Sequence, residues 1–210
     1  MNRFNDRKDK KKDTAFKPTE SRQSDQRVTE NKSKDSVVNP TQLQVFSQYQ
    51  RVGVFVDVQN MFYSAKRLKN AKLNFQKLME TAVRGRQLIR AICYVVETPD
   101  VDQSGFTDML RQNGYEIKTK LLRTRSDGSS KADWDMGIAI DAVNLADKLD
   151  IIVIVSGDGD FIDLVDHLKS RGVHVEAISF SESTNDDLIK TVNYHIPIDN
   201  KLLMYPRRRR

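Results

Sequence analysis

Four aspartates, Asp57, Asp135, Asp158 and Asp160, have the type and placement to do chemistry in this chain. Asp57 ends the apolar run Val52-Gly-Val-Phe-Val-Asp57, and Asp158 and Asp160 follow Ile151-Ile-Val-Ile-Val155 in the turn Ser156-Gly-Asp-Gly-Asp160. Asp135 opens a helical stretch in which Ile138, Ala139 and Ala142 lie three, four and seven residues on, so it begins a stripe that faces a core. Carboxylates brought together raise the cost of ionising one another, so such a cluster is partly protonated or destabilising unless a cation sits in its midst. Hard oxygen donors select Mg2+ or Mn2+, which keep several waters and accept phosphate oxygens in their remaining positions. The expected chemistry is attack of a metal-activated water on a phosphodiester.

The acids differ in what else they could do. A charge at the end of a buried strand is costly without a task, so Asp57 reads either as a metal ligand or as a strand-ending residue that bonds the next turn. Asp158 reads as a ligand, and Asp160 as a ligand or a helix cap. Asp133 falls on another helix face, as a solvated or first-turn acid. Asp141, six residues past Asp135, is rotated away from it and reads as structural or supporting.

Positioning these residues requires particular elements. Five branched apolar residues without polar alternation, Ile151 to Val155, mark a strand covered on both faces, as in a parallel sheet between helix layers. The glycines of the following turn and the helical spacing of Phe161 to Ser170 give strand, tight turn, helix. Ligands of open α/β sheets sit at the carboxyl ends of strands, where Asp57, Asp158 and Asp160 all fall. Along the chain, strands are expected near 51–58, 88–97, 115–121, 151–156 and 173–179. Helices are expected near 60–70, 74–84, 103–113, 132–148, 160–171 and 185–194. Asn113-Gly114, Arg171-Gly172 and Ser126-Asp-Gly-Ser-Ser130 supply the punctuation of a doubly wound α/β domain.

The 210 residues, 38% hydrophobic and 30% charged, suit one domain of about 150 residues with polar extensions. Residues 1–50 are poor in apolar clusters before Leu43-Gln-Val-Phe46 and read as a disordered basic arm. They carry eleven basic against seven acidic side chains; with Arg207 to Arg210, a total of +6 leaves residues 51–206 at −2. A mildly acidic domain between basic tails suits a metal site whose polyanionic substrate the tails gather. The single cysteine, Cys93, lies in an apolar run, which rules out an intrachain disulfide and points to a reducing, cytoplasmic setting. No apolar stretch approaches the roughly 18 residues of a membrane span, so no membrane partner is expected. A phosphate-binding loop, a Gly-x-Ser-x-Gly elbow and paired histidines are all missing. His167, His174 and His195 are isolated, His195 near the carboxyl end of the last expected helix.

Val54-Phe-Val-Asp-Val-Gln-Asn60, Lys131-Ala-Asp-Trp-Asp-Met-Gly-Ile-Ala-Ile-Asp141 and Val153-Ile-Val-Ser-Gly-Asp-Gly-Asp-Phe161, in that order, resemble the three motifs of the NYN domain. The resemblance is to its LabA-like branch within the PIN-like nuclease superfamily, and it spans roughly residues 51–199. It implies a Rossmann-like, PIN-type three-layer α/β fold with a central, mostly parallel sheet of about five strands. It also implies an acidic Mg2+ or Mn2+ site of Asp57, Asp135, Asp158 and Asp160, with ribonuclease activity on RNA. Asn60 would orient water or substrate, and Lys131 would reach a phosphate. Asn185-Asp-Asp-Leu188 departs from the family pattern, with Asn where Ser is frequent, and Asn193 stands where Asp is expected.

The resulting expectation is a basic arm over 1–50, an NYN domain over 51–200 and a basic tail over 201–210. The domain would be a metal-dependent endoribonuclease acting on single-stranded RNA, and a homodimer stays open. The alternative is an RNA-binding or scaffold protein that keeps the fold without cleaving. A phosphatase of the haloacid dehalogenase type is the weaker competitor, because its motif wants a second Asp where this chain has Gln59.

Overall fold

The computed structural model describes residues 48–99, 101–124, 130–131 and 133–205. Most of the expected amino-terminal arm, the Ser126 to Ser129 loop and the Arg207–Arg210 run lie outside these residues.

The apolar runs at 51–57, 87–97, 151–155 and 174–179 become strands, and α-helices separate the strands of the main sheet. In chain order the elements are β1 (Arg51–Asp57), α1 (Val58–Lys69), β2 (Lys72–Leu73), α2 (Phe75–Val83), β3 (Gln87–Glu97), α3 (Ser104–Gln112) and β4 (Glu116–Leu121). There follow β5 (Arg123–Thr124), β6 (Ser130–Lys131), α4 (Asp135–Leu145), β7 (Ile151–Val155), α5 (Ile162–Ser170), β8 (His174–Ser179), α6 (Asp186–Thr191), β9 (Tyr194–Pro197) and β10 (Leu203–Met204).

The main sheet runs β4-β3-β1-β7-β8-β9, and every neighbouring pair is parallel. Counted among themselves these strands read 3-2-1-4-5-6, so the winding reverses between β1 and β7 and opens a crevice at their carboxyl ends. The register Val52↔Ile151 to Val56↔Val155 sets Asp57 beside the turn that begins at Ser156. Alternate side chains serve the two faces. Val54, Val56, Cys93 and Val153 pack toward α1, α2 and α3, while Phe55, Tyr94, Ile152 and Ile154 pack toward α4, α5 and α6. The result is the expected three-layer α/β architecture.

Three features differ from the sequence expectation. The sheet has six strands rather than about five. The last helix stops at Thr191, and Tyr194–Pro197, with His195 in it, forms the edge strand β9. A four-residue run that ends in proline gives almost no strand signal, yet an edge strand tolerates a residue that cannot donate to the ladder. Beyond residue 200, Leu203–Met204 pairs antiparallel with β2, and Leu202 and Leu203 are buried, so ordered structure continues to Met204.

Glu176 is wholly buried in β8 and would be costly there alone. The Arg86 guanidinium donates to both of its carboxylate oxygens, at 2.8 and 3.0 Å, and Arg84 donates as well. Both arginines flank Gly85 in the turn from α2 to β3, so this ion cluster clamps that turn to the sheet. Removing one partner from such a cluster costs about 3–5 kcal/mol, because a buried charge is left uncompensated.

Candidate functional site

The crevice begins with the way Asp57 ends its strand. As the amino-terminal cap of α1, its Oδ1 accepts the backbone N–H of Asn60 at 3.0 Å. Its other oxygen takes the Ser156 hydroxyl at 3.4 Å, across the β1–β7 boundary. Ser156 in turn accepts the Asp158 N–H at 3.3 Å, and the Asn60 side-chain oxygen accepts the Gly157 N–H, also at 3.3 Å. Two of these links, Ser156 to Asp57 and Gly157 to Asn60, fix the end of β1 against the end of β7, and the other two hold each end locally. Asp57 is only 8% exposed. Burial pushes its carboxyl up to about 6, helped by the charges of Asp135 and Asp158 and opposed by the bonds from Asn60 and Ser156.

Asp158 caps the single helical turn Gly159–Phe161, its Oδ1 accepting the Asp160 N–H at 3.1 Å. The turn is shaped from outside by residues 184–185. A Cβ on Gly159 would lie 2.5 Å from Asn185 Nδ2, and one on Gly157 would lie 3.1 Å from the Thr184 Cα. Asn185 also donates its N–H to the Gly157 carbonyl at 3.0 Å and caps α6 through the Asp187 N–H at 2.8 Å. The segment that departs from the family pattern thus buttresses the acidic turn. Asn193 lies apart from it, accepting the Val175 N–H at 2.8 Å.

Asp135 is placed by its neighbour. Trp134 donates its indole N–H to the Val95 carbonyl at 3.0 Å and packs 5.3 Å from the Tyr94 ring, which pins the start of α4 to β3. Ile138 and Ala142 then sink into the core, leaving Asp135 at the crevice. Its carboxyl is raised by partial burial first, then by Asp158, Asp133 and Asp160, with Lys120 opposing.

Asp135, Asp158 and Asp160 each bring one carboxylate oxygen to within 4.8 Å of the others. Asp57 is outside that trio but lines the same pocket, of about 400 Å3, with Asn60, Asp135 and Asp158. Asp160 stands exposed at the rim. Asp133, expected on a solvated face, is half-buried and lines the pocket, because Lys120 Nζ holds its carbonyl at 2.7 Å. Asp141 is elsewhere, accepting the Tyr94 hydroxyl at 2.7 Å and Lys118 Nζ at 2.6 Å. Lys131 lies in β6, paired with Arg123, and its side chain is outside the described residues.

Sequence reasoning did not single out Ser64 and Arg67, which line the pocket four and seven residues after Asn60. That spacing is a helix face, and it was the available signal. The converging donors are all carboxylate oxygens, with neither sulfur nor imidazole among them. Such a set fits a hard divalent cation such as Mg2+ or Mn2+.

A doubly wound parallel sheet with clustered carboxylates at its switch point defines the class, a Rossmann-like domain of the PIN-like kind. Residues 51–199 match the NYN domain model, and the chain belongs to that family. NYN domains fall in the PIN-like superfamily, whose members are generally nucleases, and they typically bind RNA. The chain is 29% identical over 159 residues to the low amplitude and bright protein LabA of Synechococcus elongatus, across 71% of this chain and 84% of that one. It is also similar to the crystal structure of a protein of unknown function from Vibrio parahaemolyticus. That likeness has 30% identity and a TM-score of 0.70, and covers 75% of this chain and 98% of the other. Among the described residues no helix is long and apolar enough to cross a membrane.

Proposed function

We propose that this chain is a Mg2+- or Mn2+-dependent endoribonuclease that hydrolyses single-stranded RNA in the cytoplasm. The observation that carries the reading is the convergence of Asp135, Asp158 and Asp160 at the β1–β7 crevice. These three would hold the ion, with Asp57 on the pocket floor. A divalent cation bound there supplies charge neutralisation at the phosphate and makes water a stronger nucleophile at neutral pH.

The remaining work falls to the chain. Asn60 uses its side-chain oxygen on Gly157, which leaves its Nδ2 free to donate to a phosphate or water. Arg67 brings a positive charge to a pocket otherwise rich in acids, where it can draw in a phosphate. The amino end of α1, capped by Asp57, opens on the same pocket and favours negative charge on the substrate. Lys131 is assigned as a further phosphate contact.

The test is cleavage of a labelled single-stranded RNA with Mn2+, Mg2+ or EDTA, comparing wild type with Asp158→Asn at matched purity. Asparagine keeps the cap at position 158 while removing the charge, so the variant should fold. Metal-dependent cleavage is expected to fall by about a hundredfold or more. The rise in melting temperature that Mn2+ gives the wild type should also vanish. RNA bound by both proteins and cleaved by neither would replace the nuclease with a binding module.

A further inference from the structure

We propose that the apolar groove beside the acidic pocket seats an unstacked nucleobase of the RNA whose phosphate lies at the acids, an inference that rests on the ribonuclease reading. The groove has a volume of about 810 Å3 and runs between α1, the end of β3, Thr98, residues 101–103 and the start of α3. That size falls within the roughly 300–1,000 Å3 of sites that bind small organic groups.

Helix α1 is the wall between the two cavities. Asn60, Ser64 and Arg67 face the acids, Met61, Phe62 and Ala65 face the groove, and Gln59 and Tyr63 line both. A strand leaving the acids therefore meets the groove across one helix ridge. The ridge is aromatic and open: Phe62 is 53% and Tyr63 61% exposed, with their rings edge to face at 5.7 Å. Exposed aromatic rings of this size are unfavourable in water and offer faces on which any base can stack.

Charge completes the match. Lys72 lines the groove, Arg67 lies over the ridge, and Lys66 Nζ sits 5.9 Å from the Phe62 ring centre. Cations interleaved with aromatic rings are the pattern that holds a single strand, taking its phosphates and its bases respectively. One polar group in the wall is unfinished. Gln103 lines the groove, and its Oε1 is buried with no hydrogen-bond partner among the described residues. A buried acceptor left unpaired costs about 1–3 kcal/mol, and an N–H on a base edge would supply the missing donor.

The deciding experiment measures affinity in EDTA, where no cleavage occurs, for a single-stranded oligonucleotide and for the same strand with abasic nucleotides. Wild type is compared with Phe62→Ala and Phe62→Trp, substitutions at a half-exposed site that leaves the core untouched. Phe62→Ala should bind the intact strand roughly tenfold more weakly, and Phe62→Trp should restore binding. The abasic strand should bind wild type about as weakly as it binds Phe62→Ala. Equal affinity of wild type for both strands, or a Phe62→Ala variant that binds as wild type does, overturns the proposal. Loss of a dimer in sedimentation velocity with RNA affinity unchanged also overturns it, and gives the groove to a second copy of the chain. Cleavage in Mn2+ is scored separately, so a failed groove with intact cleavage differs from base-dependent binding without cleavage.

Discussion

Asp57 ends a buried strand, caps a helix and faces other carboxylates, and these demands pull its ionisation in opposite directions. Its folded value of about 6 lies above the ordinary 3.8, so between these limits the folded state holds more protons than the unfolded state. Stability contributed at this residue therefore falls as pH rises from about 4 to 6, and the cost is fully present above that window. Asp57→Asn keeps an equivalent cap and removes the ionisation. In EDTA at pH 8 the variant should be more stable than wild type by about 3 kcal/mol, and the two should converge near pH 4. Denaturant midpoints across that range read the difference. A variant less stable at pH 8 would mean that the bonds from Asn60 and Ser156 outweigh the burial of charge.

At the scale of elements, the start of α4 shows how a core contact places a site residue. Gly137 lies within that helix, where alanine would ordinarily add about 0.5–1 kcal/mol of stability. Here an added Cβ would stand 2.5 Å from the Trp134 ring, so the indole must shift, which strains its bond to Val95. Gly137→Ala should shift the emission of the chain's single tryptophan and reduce metal-dependent cleavage by about tenfold to a hundredfold through displacement of Asp135. Shifted emission with normal cleavage would show that the ring gives way without disturbing the acid. Sequence made the strands legible because β1 and β7 are continuous apolar runs, and it made the turn after β7 legible because two glycines interrupt such a run. It could not show β9, whose four residues depend on the edge of β8 for their ladder. Nor could it show Glu176 with Arg86, which lie ninety residues apart and meet only in the folded state. The groove beside α1 was hidden for the same reason, since its wall is drawn from several separated segments.

At the scale of the whole molecule, the positive excess and the candidate acidic site occupy different parts of the chain. Residues 51–206 carry a net −2 and bring Asp57, Asp133, Asp135, Asp158 and Asp160 to the crevice, while the sequence outside them holds the positive excess. An acidic domain repels RNA at long range, so on the proposed function capture would depend on the cations at its flanks and on the few near the crevice. Deleting Arg207 to Arg210 tests that division of labour. Each phosphate neutralised on a single strand adds about −0.7 to the slope of log affinity against log salt, so losing four arginines should flatten it by at most about 3. On the proposed function, cleavage at saturating RNA should stay as it was, because the acids proposed to hold the ion are untouched by the deletion. A slope unchanged by the deletion would place the electrostatic contacts on the folded domain itself. Arg67 and Lys72, beside the two cavities, would then be the residues to substitute next.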